Sequence, residues 1–434
     1  MKLSRIALLL LIAFTFIQPA FAQSNEPLAI VMTVDGPIVP PMLEYFKRGI
    51  ATAEQRNAEV LIIQLNTPGG SVSVMSEMIT AIGNSKVPVV IYVSPKDAQA
   101  ASAGALITMA GHASAMAPRT VIGAASPIDS SGANIESTLE KKIKEDLKAK
   151  ARTLVERRGE QAVQLAEAMI DDAKAVTAKE ALDAKFIDFI SDDTEDLLQA
   201  LDGFTVQMEN SRHTFNTENI RTQNLNISFI EQLLLLLTDP NIAFLLLAIG
   251  VQAVLIEISS PGGWVAGFIG SVCLTLAVYG MGVLSVNWFG ILFLIIAFVL
   301  FILDIKAPTH GALTTAGVAS FIVGALVLFN SPGTPQFQRV SVPLVIGMSL
   351  FLGLLFFGVL LLALRAQHRP VQTGAESLVG KTGTARSFSD EAGQVQVDSE
   401  LWSAELSTGS ESIRKGDKIE VVEVRGLKLI VKKK

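Results

Sequence analysis

The residues that could do chemistry begin with Ser102, in the run Gln99-Ala100-Ala101-Ser102-Ala103-Gly104. Small neighbours let two backbones approach the serine hydroxyl, and they let a strand end turn directly into a helix. Upstream, Val89–Val93 reads as a buried strand; downstream, Ala103–Ala110 is helix-compatible and free of proline. Ser102 is therefore expected at a strand-to-helix junction, where a helix N-terminus offers unpaired N–H groups. Such a serine is a candidate nucleophile, although serines among alanines also serve tight packing. A second stretch, Asn66-Thr67-Pro68-Gly69-Gly70, ends another expected strand. Its two glycines can aim N–H groups outward to hold an oxyanion during acyl transfer, and an ordinary strand-to-helix turn has the same composition.

The elements that must position these residues follow a regular rhythm. Ala29–Val34, Val60–Leu65 and Val89–Val93 read as strands, and Pro41–Ala53, Val72–Ile82 and Gly104–Ala110 as helices. Strand, helix, strand in this order predicts parallel pairing, and the near-continuous apolar runs predict strands covered on both faces. Short β pieces at 115–118 and 121–124 precede a polar loop, Ser126–Asn134, and a charged helix from Glu136 to about Arg158. Most charges on that helix read as a solvated face. Ser71 is expected to cap the helix at 72–82. Thr177 and Glu180 are expected to form a capping box before a short helix, and Phe186–Ile190 a last strand.

Composition narrows the class. The 434 residues are half hydrophobic, and the apolar runs concentrate between 241 and 364, as in a bilayer-embedded region. A net charge of −6 gives no sign of nucleic-acid binding. One cysteine, Cys273, and four scattered histidines exclude an intrachain disulfide and make a multi-cysteine or His-rich metal centre unexpected. No cofactor is called for. His112 lies near the far end of the helix that Ser102 begins and reads as a surface or interface residue. Lys2 and Arg5, the apolar Ile6–Ile17 and Ala20-Phe21-Ala22 form a secretory signal over 1–22, cut after Ala22. The exported part up to residue 228, about 205 residues, is long enough for a sizeable core.

Thr67-Pro68-Gly69-Gly70, Ala101-Ser102-Ala103-Gly104, Met116-Ala117-Pro118 and Thr177–Leu182 occur in an order and spacing that resembles the long NfeD family of membrane-bound serine proteases. These are relatives of the Clp protease subunit and of signal peptide peptidase A. The resemblance implies an α/β Clp protease/crotonase-like domain over 23–228, a helical transmembrane region over 229–369, and a small all-β OB-like barrel over 370–434. It also implies a Ser–Lys dyad with Ser102 as nucleophile. Lys141, Lys142 and Lys144 crowd together; the family pattern favours Lys142 as base, with Lys141 next. Gly69 or Gly70, with the N–H of Ala103, is implied as the oxyanion hole. A lysine can take the serine proton only when neutral, which requires burial by its own helix or by an adjoining subunit.

Leu233–Leu237 is too short to span and is expected at the membrane surface. Five spans are expected, at Ile242–Ile256, Trp264–Leu284, Phe289–Leu303, Leu313–Phe329 and Val342–Leu364, with Gly263 and Gly267 as a GxxxG pair and Asp304 and Lys306 as end anchors. An exported protease-like domain and an odd span count place the tail in the cytoplasm, in line with Arg365, His368 and Arg369 after the last span. The tail carries five short β runs but only Phe388 and Trp402 as aromatics, so protein rather than single-stranded nucleic acid is its expected ligand. The leading reading is an inner-membrane serine endopeptidase, homo-oligomeric, that cuts apolar peptide or protein segments; the resemblance implies that it works on or with stomatin-like (SPFH) membrane proteins in membrane protein quality control. The competing reading is an inactive protease fold serving as a scaffold for stomatin-like partners. A crotonase-like acyl-CoA enzyme is disfavoured by export, because CoA is cytoplasmic.

Overall fold

The computed structural model describes residues 26–127, 137–209, 211–259, 262–307, 309, 311–331, 334–367, 375–389 and 391–434. The expected signal segment 1–22, most of the loop at 126–134, and His368 and Arg369 lie outside them. Two compact units divide the chain: the described residues up to Ala297 with Ala319–Ser349, and Phe298–Val318 with Leu350–Lys434.

The N-terminal domain opens with β1 (Leu28–Asp35), α1 (Pro40–Gln55), β2 (Val60–Asn66), α2 (Val72–Gly83), β3 (Val89–Val93), β4 (Gln99–Ala101) and α3 (Ala103–Ala110). There follow β5 (Ala113–Met116), β6 (Val121–Gly123), α4 (Ser137–Val155), α5 (Glu160–Asp171), β7 (Ala175–Thr177), α6 (Ala178–Asp183), β8 (Phe189–Ile190) and α7 (Thr194–Leu201). A hairpin of β9 (Thr205–Gln207) and β10 (Arg212–Thr214) and an edge strand β11 (Arg221–Leu225) complete it. Six strands form one parallel sheet in the order β11-β1-β2-β3-β5-β8. Alternate residues feed two cores. Ile30, Leu61, Ile63, Val89 and Ile91 pack under α1 to α5, while Val31, Ile62, Val90 and Tyr92 pack under α7 and the hairpin. Burial on both faces is why these strands read as unbroken apolar runs. A second, three-stranded sheet, β4-β6-β7, adjoins the end of β2 through a Thr67–Ala100 bridge and leads into α3.

Local signals hold in part. Thr177 and Glu180 form the expected capping box. Ser71 occupies the N-cap position of α2 without capping it: its hydroxyl pairs with that of Ser73 at 2.8 Å. His112 is not a surface residue. It is buried, its Nδ1 accepts the Val89 N–H at 3.1 Å, and burial, reinforced by the nearby Arg157 charge, lowers its pKa to about 4. The unfolded chain therefore takes up this proton first as pH falls. The fold keeps its full stability above about pH 6.5 and should lose on the order of 3 kcal/mol as pH drops to about 4. Thermal melts of the detergent-solubilised chain across this window check the slope, and His112→Asn should flatten it.

The remaining elements are α8 (Phe229–Leu237) and five long helices, α9 (Pro240–Ser259), α10 (Val265–Val283), α11 (Phe289–Lys306), α12 (Ala312–Phe329) and α13 (Val342–Gln367). Among the described residues, four stretches are long and apolar enough to cross a membrane, at Pro240–Ile258, Val265–Val283, Ala312–Phe329 and Gln336–Val359, and α11 is a fifth apolar helix. Close helix approach centres on Gly250 and Gly270, where a Cβ on Gly270 would lie 2.9 Å from the Gly250 carbonyl oxygen; of the Gly263/Gly267 pair only Gly267 meets a neighbour, Glu257 of α9, whose Cγ would lie 3.0 Å from its Cβ. Asp304 is buried instead of anchoring at the lipid surface. Its carboxylate accepts the Thr314 N–H at 3.1 Å and the hydroxyls of Thr309 and Thr314, and so caps the start of α12.

The tail folds as β12 (Thr382–Ser389), β13 (Ala392–Val397), β14 (Glu400–Leu406), β15 (Lys418–Arg425) and β16 (Lys428–Lys433), a closed barrel in the order β12-β13-β14-β16-β15. Only β14 and β16 pair in parallel. Val395, Ile419, Leu429 and Val431 fill its interior, and the five-strand closed arrangement is that of an OB-like barrel. The fold class expected from the sequence, a Clp protease-like α/β domain, apolar helices and a small β barrel, is the one observed.

Candidate active site

Ser102 sits between β4 and α3, at the N-cap of the helix, with φ 53° and ψ −116°. Positive φ is strained for a residue with a Cβ and persists only where the surroundings enforce it. Here they do. The Ser102 N–H donates to the Gly123 carbonyl at 2.8 Å, and the Ala101 N–H donates to the Thr67 carbonyl at 3.0 Å. Ala103 and Ala105 are buried on the following helical turn. Gly104 lets the buried Thr67 come close, because a Cβ there would lie 2.5 Å from Thr67 Cγ2. The small residues of Ala101-Ser102-Ala103-Gly104 are thus explained by contact. Ser102 itself is half-buried; its Oγ does not cap the helix and has no hydrogen-bond partner among the described residues.

The turn after β2 lies against this serine. The Thr67 N–H donates to the Gln99 carbonyl at 2.7 Å, so the turn runs beside β4. A Cβ on Gly69 would fall 2.7 Å from Ser102 Cβ and 3.2 Å from its Oγ, and Gly69 has φ +112°. Ile38 braces the turn from the other side, donating to the Gly69 carbonyl at 2.8 Å and accepting the Ser71 N–H at 2.9 Å. The Gly69 N–H is engaged by Thr67 Oγ1 at 3.0 Å. The N–H groups of Gly70 and of Ala103 have no partner among the described residues. Thr67, Ile38 and Gly123 were missed as supporting residues; only the Thr-Pro-Gly-Gly run signalled the first of them. Gly69→Ala is expected to destabilise the domain by about 1–3 kcal/mol through backbone strain and the clash with Ser102. A melt of the variant against the parent measures it.

The lysines stand differently. The inner stripe of α4 is Leu147, Ala151 and Val155, with Ile143 packed beside it. Lys141 and Lys142 lie off that stripe and are exposed. Lys144 pairs with Glu140 at 2.9 Å, and Lys148 with Glu145 and Asp171 at 2.6 and 3.0 Å. Hydrogen bonds to those two carboxylates push the Lys148 pKa up, which disfavours it as a base. Burial of Lys142 by its own helix, one of the two routes expected, is absent. Among the described residues, no group of three or more His, Cys, Asp or Glu side chains is placed to hold a metal.

Three domain families match the chain in order: the NfeD1b N-terminal domain over residues 29–211, the NfeD integral membrane domain over 241–362, and the NfeD-like C-terminal, partner-binding domain over 375–433. The membrane-bound protease PH1510 of Pyrococcus horikoshii is 35% identical over 437 residues, covering 98% of this chain and 97% of its own. The chain belongs to the NfeD family, in its long, membrane-bound protease form. It is an integral membrane protein. A second NfeD relative, membrane protein NfeD1b of Bacillus subtilis, is 25% identical over 95% of this chain and 94% of its own. Among solved structures, a lysine-to-alanine variant of 1510-N, a membrane-bound stomatin-specific protease, in complex with a substrate peptide is 34% identical. It covers 48% of this NfeD chain and 96% of its own, with a TM-score of 0.45.

Proposed function

We propose that this NfeD protein is a membrane-tethered serine endopeptidase of the Ser–Lys type. The observation that carries the reading is the half-buried Ser102, whose Oγ and the N–H groups of Gly70 and Ala103 have no hydrogen-bond partner among the described residues. In this reading Ser102 Oγ attacks the scissile carbonyl carbon while its proton passes to the neutral Nζ of Lys142. The N–H groups of Gly70 and Ala103 hold the oxyanion, and Gly69 supplies the room that lets that turn approach the serine. The proton on Nζ then leaves with the amine, and water releases the acyl group from Ser102. Lys142 is exposed in the single chain, so this scheme has a second copy of the chain cover that face of α4 and desolvate the amine. The substrates are apolar peptide segments. The stomatin-specific relative supports a stomatin-like protein as substrate or partner, engaged by the C-terminal barrel, within membrane protein quality control.

The exposure of Lys142 is the observation that favours the second reading, an inactive scaffold for stomatin-like partners. Incubating the purified full chain with an apolar peptide separates the two. Cleavage supports the peptidase; no cleavage, with the barrel still capturing a stomatin-like protein, supports the scaffold.

The proposal includes sidedness, with the protease-like domain outside the cytoplasmic membrane and the barrel inside, because five spans are odd in number. Protease added to intact spheroplasts should remove an epitope near Gln23 and spare one after Lys434. Loss of both would mean an even number of crossings and would overturn the five-span arrangement.

A further inference from the structure

We propose that α8 is a lipid-lying helix that brackets the protease-like domain onto the membrane surface, with the Arg48–Glu231 ion pair as the fastening. Along α8, Phe229 (79% exposed), Ile230 (68%), Leu233 (43%) and Leu236 (50%) form one apolar face left open by the described residues. Their spacing of i, i+1, i+4 and i+7 keeps them on one side of the helix. A lipid surface is the occupant that the surroundings select. Only Thr238 and Asp239 separate α8 from α9, an apolar helix of spanning length. The end of α10 packs there too: a Cβ on Gly280, one turn before that helix ends, would lie 2.3 Å from the Leu237 carbonyl oxygen. The C-terminus of α8 therefore sits where one span begins and another ends. Exposed Tyr279, adjacent to Gly280, is a residue type that favours this depth. An apolar helix face at that level enters the boundary between headgroups and acyl chains.

The opposite face of α8 is bound to the domain. Glu231 caps the helix with Ser228 and receives the Arg48 guanidinium through both carboxylate oxygens, at 2.8 and 2.7 Å. Arg48 also donates to the Asn226 carbonyl at 2.9 Å, and Tyr45 donates to that of Leu225 at 2.6 Å. All of these donors lie on α1, which starts two residues after Ile38, the brace of the Gly69–Gly70 turn. The bracket therefore holds the side of the domain that carries this turn near the bilayer surface, within reach of segments emerging from it.

The test uses the full chain in phosphatidylcholine vesicles, with Cys273→Ser as background and a nitroxide placed by Phe229→Cys, Leu233→Cys or, as a solvent-facing control, Lys47→Cys. Collisions with dissolved oxygen should exceed those with a water-soluble nickel chelate several-fold at 229 and 233, with the reverse at 47. Nickel-dominated collisions at 229 and 233 would overturn lipid contact. Arg48→Ala should leave the depth at 229 unchanged while speeding backbone hydrogen exchange over residues 225–231. Unchanged exchange there would overturn the fastening.

Discussion

Ser102→Ala is expected to abolish peptide cleavage while leaving the protein folded. The substitution removes one hydroxyl that makes no hydrogen bond in the described structure, so the melting behaviour should change little. Loss of a nucleophile that works as part of a unit should lower the rate by on the order of 10⁴-fold or more. Ser102→Gly sharpens the experiment. Glycine accepts φ 53° without strain, so this variant should be equally inactive and no less stable than the alanine one. Cleavage by either variant at the parent rate would assign the nucleophile elsewhere.

Lys142→Ala should be nearly as damaging as the serine change, because members of a catalytic unit are not additive. Lys141→Ala, one position round the same exposed surface, should keep activity. The parent rate should rise with pH as the base loses its proton. Because Lys142 is uncovered in the single chain, the rate per chain should also fall when the protein is diluted below the concentration at which copies associate. Loss of activity at Lys141 alone would move the base to that residue. Loss at neither would remove lysine from the mechanism.

How far the sequence could be read follows from which physical signals are local. Val60–Leu65 and Val89–Val93 were legible because a strand covered on both faces must be apolar throughout. β11 (Arg-Thr-Gln-Asn-Leu) was not: an edge strand can be polar, and its place beside β1 comes from backbone pairing rather than hydropathy. β4 escaped for a similar reason, being three residues without a branched or aromatic side chain. In the expected strand Phe186–Ile190 only Phe189 and Ile190 join the sheet, because Phe186 and Ile187 are buried by packing alone. The Ser102 turn and its glycines were legible because close backbone approach restricts residue type directly. The environment of Lys142 was not, since burial of a surface lysine depends on what covers it, which its neighbours in sequence do not encode.

The central claim, that Ser102 is a nucleophile set against an oxyanion site, is tested most directly by active-site labelling. The purified full chain is treated with a serine-reactive fluorophosphonate and digested, and the modified peptide is located by mass spectrometry. The account predicts one phosphonylated residue, Ser102, with labelling abolished by Ser102→Ala and by prior denaturation. Peptide cleavage that persists without label on Ser102, or label on another serine that tracks with activity, would contradict it.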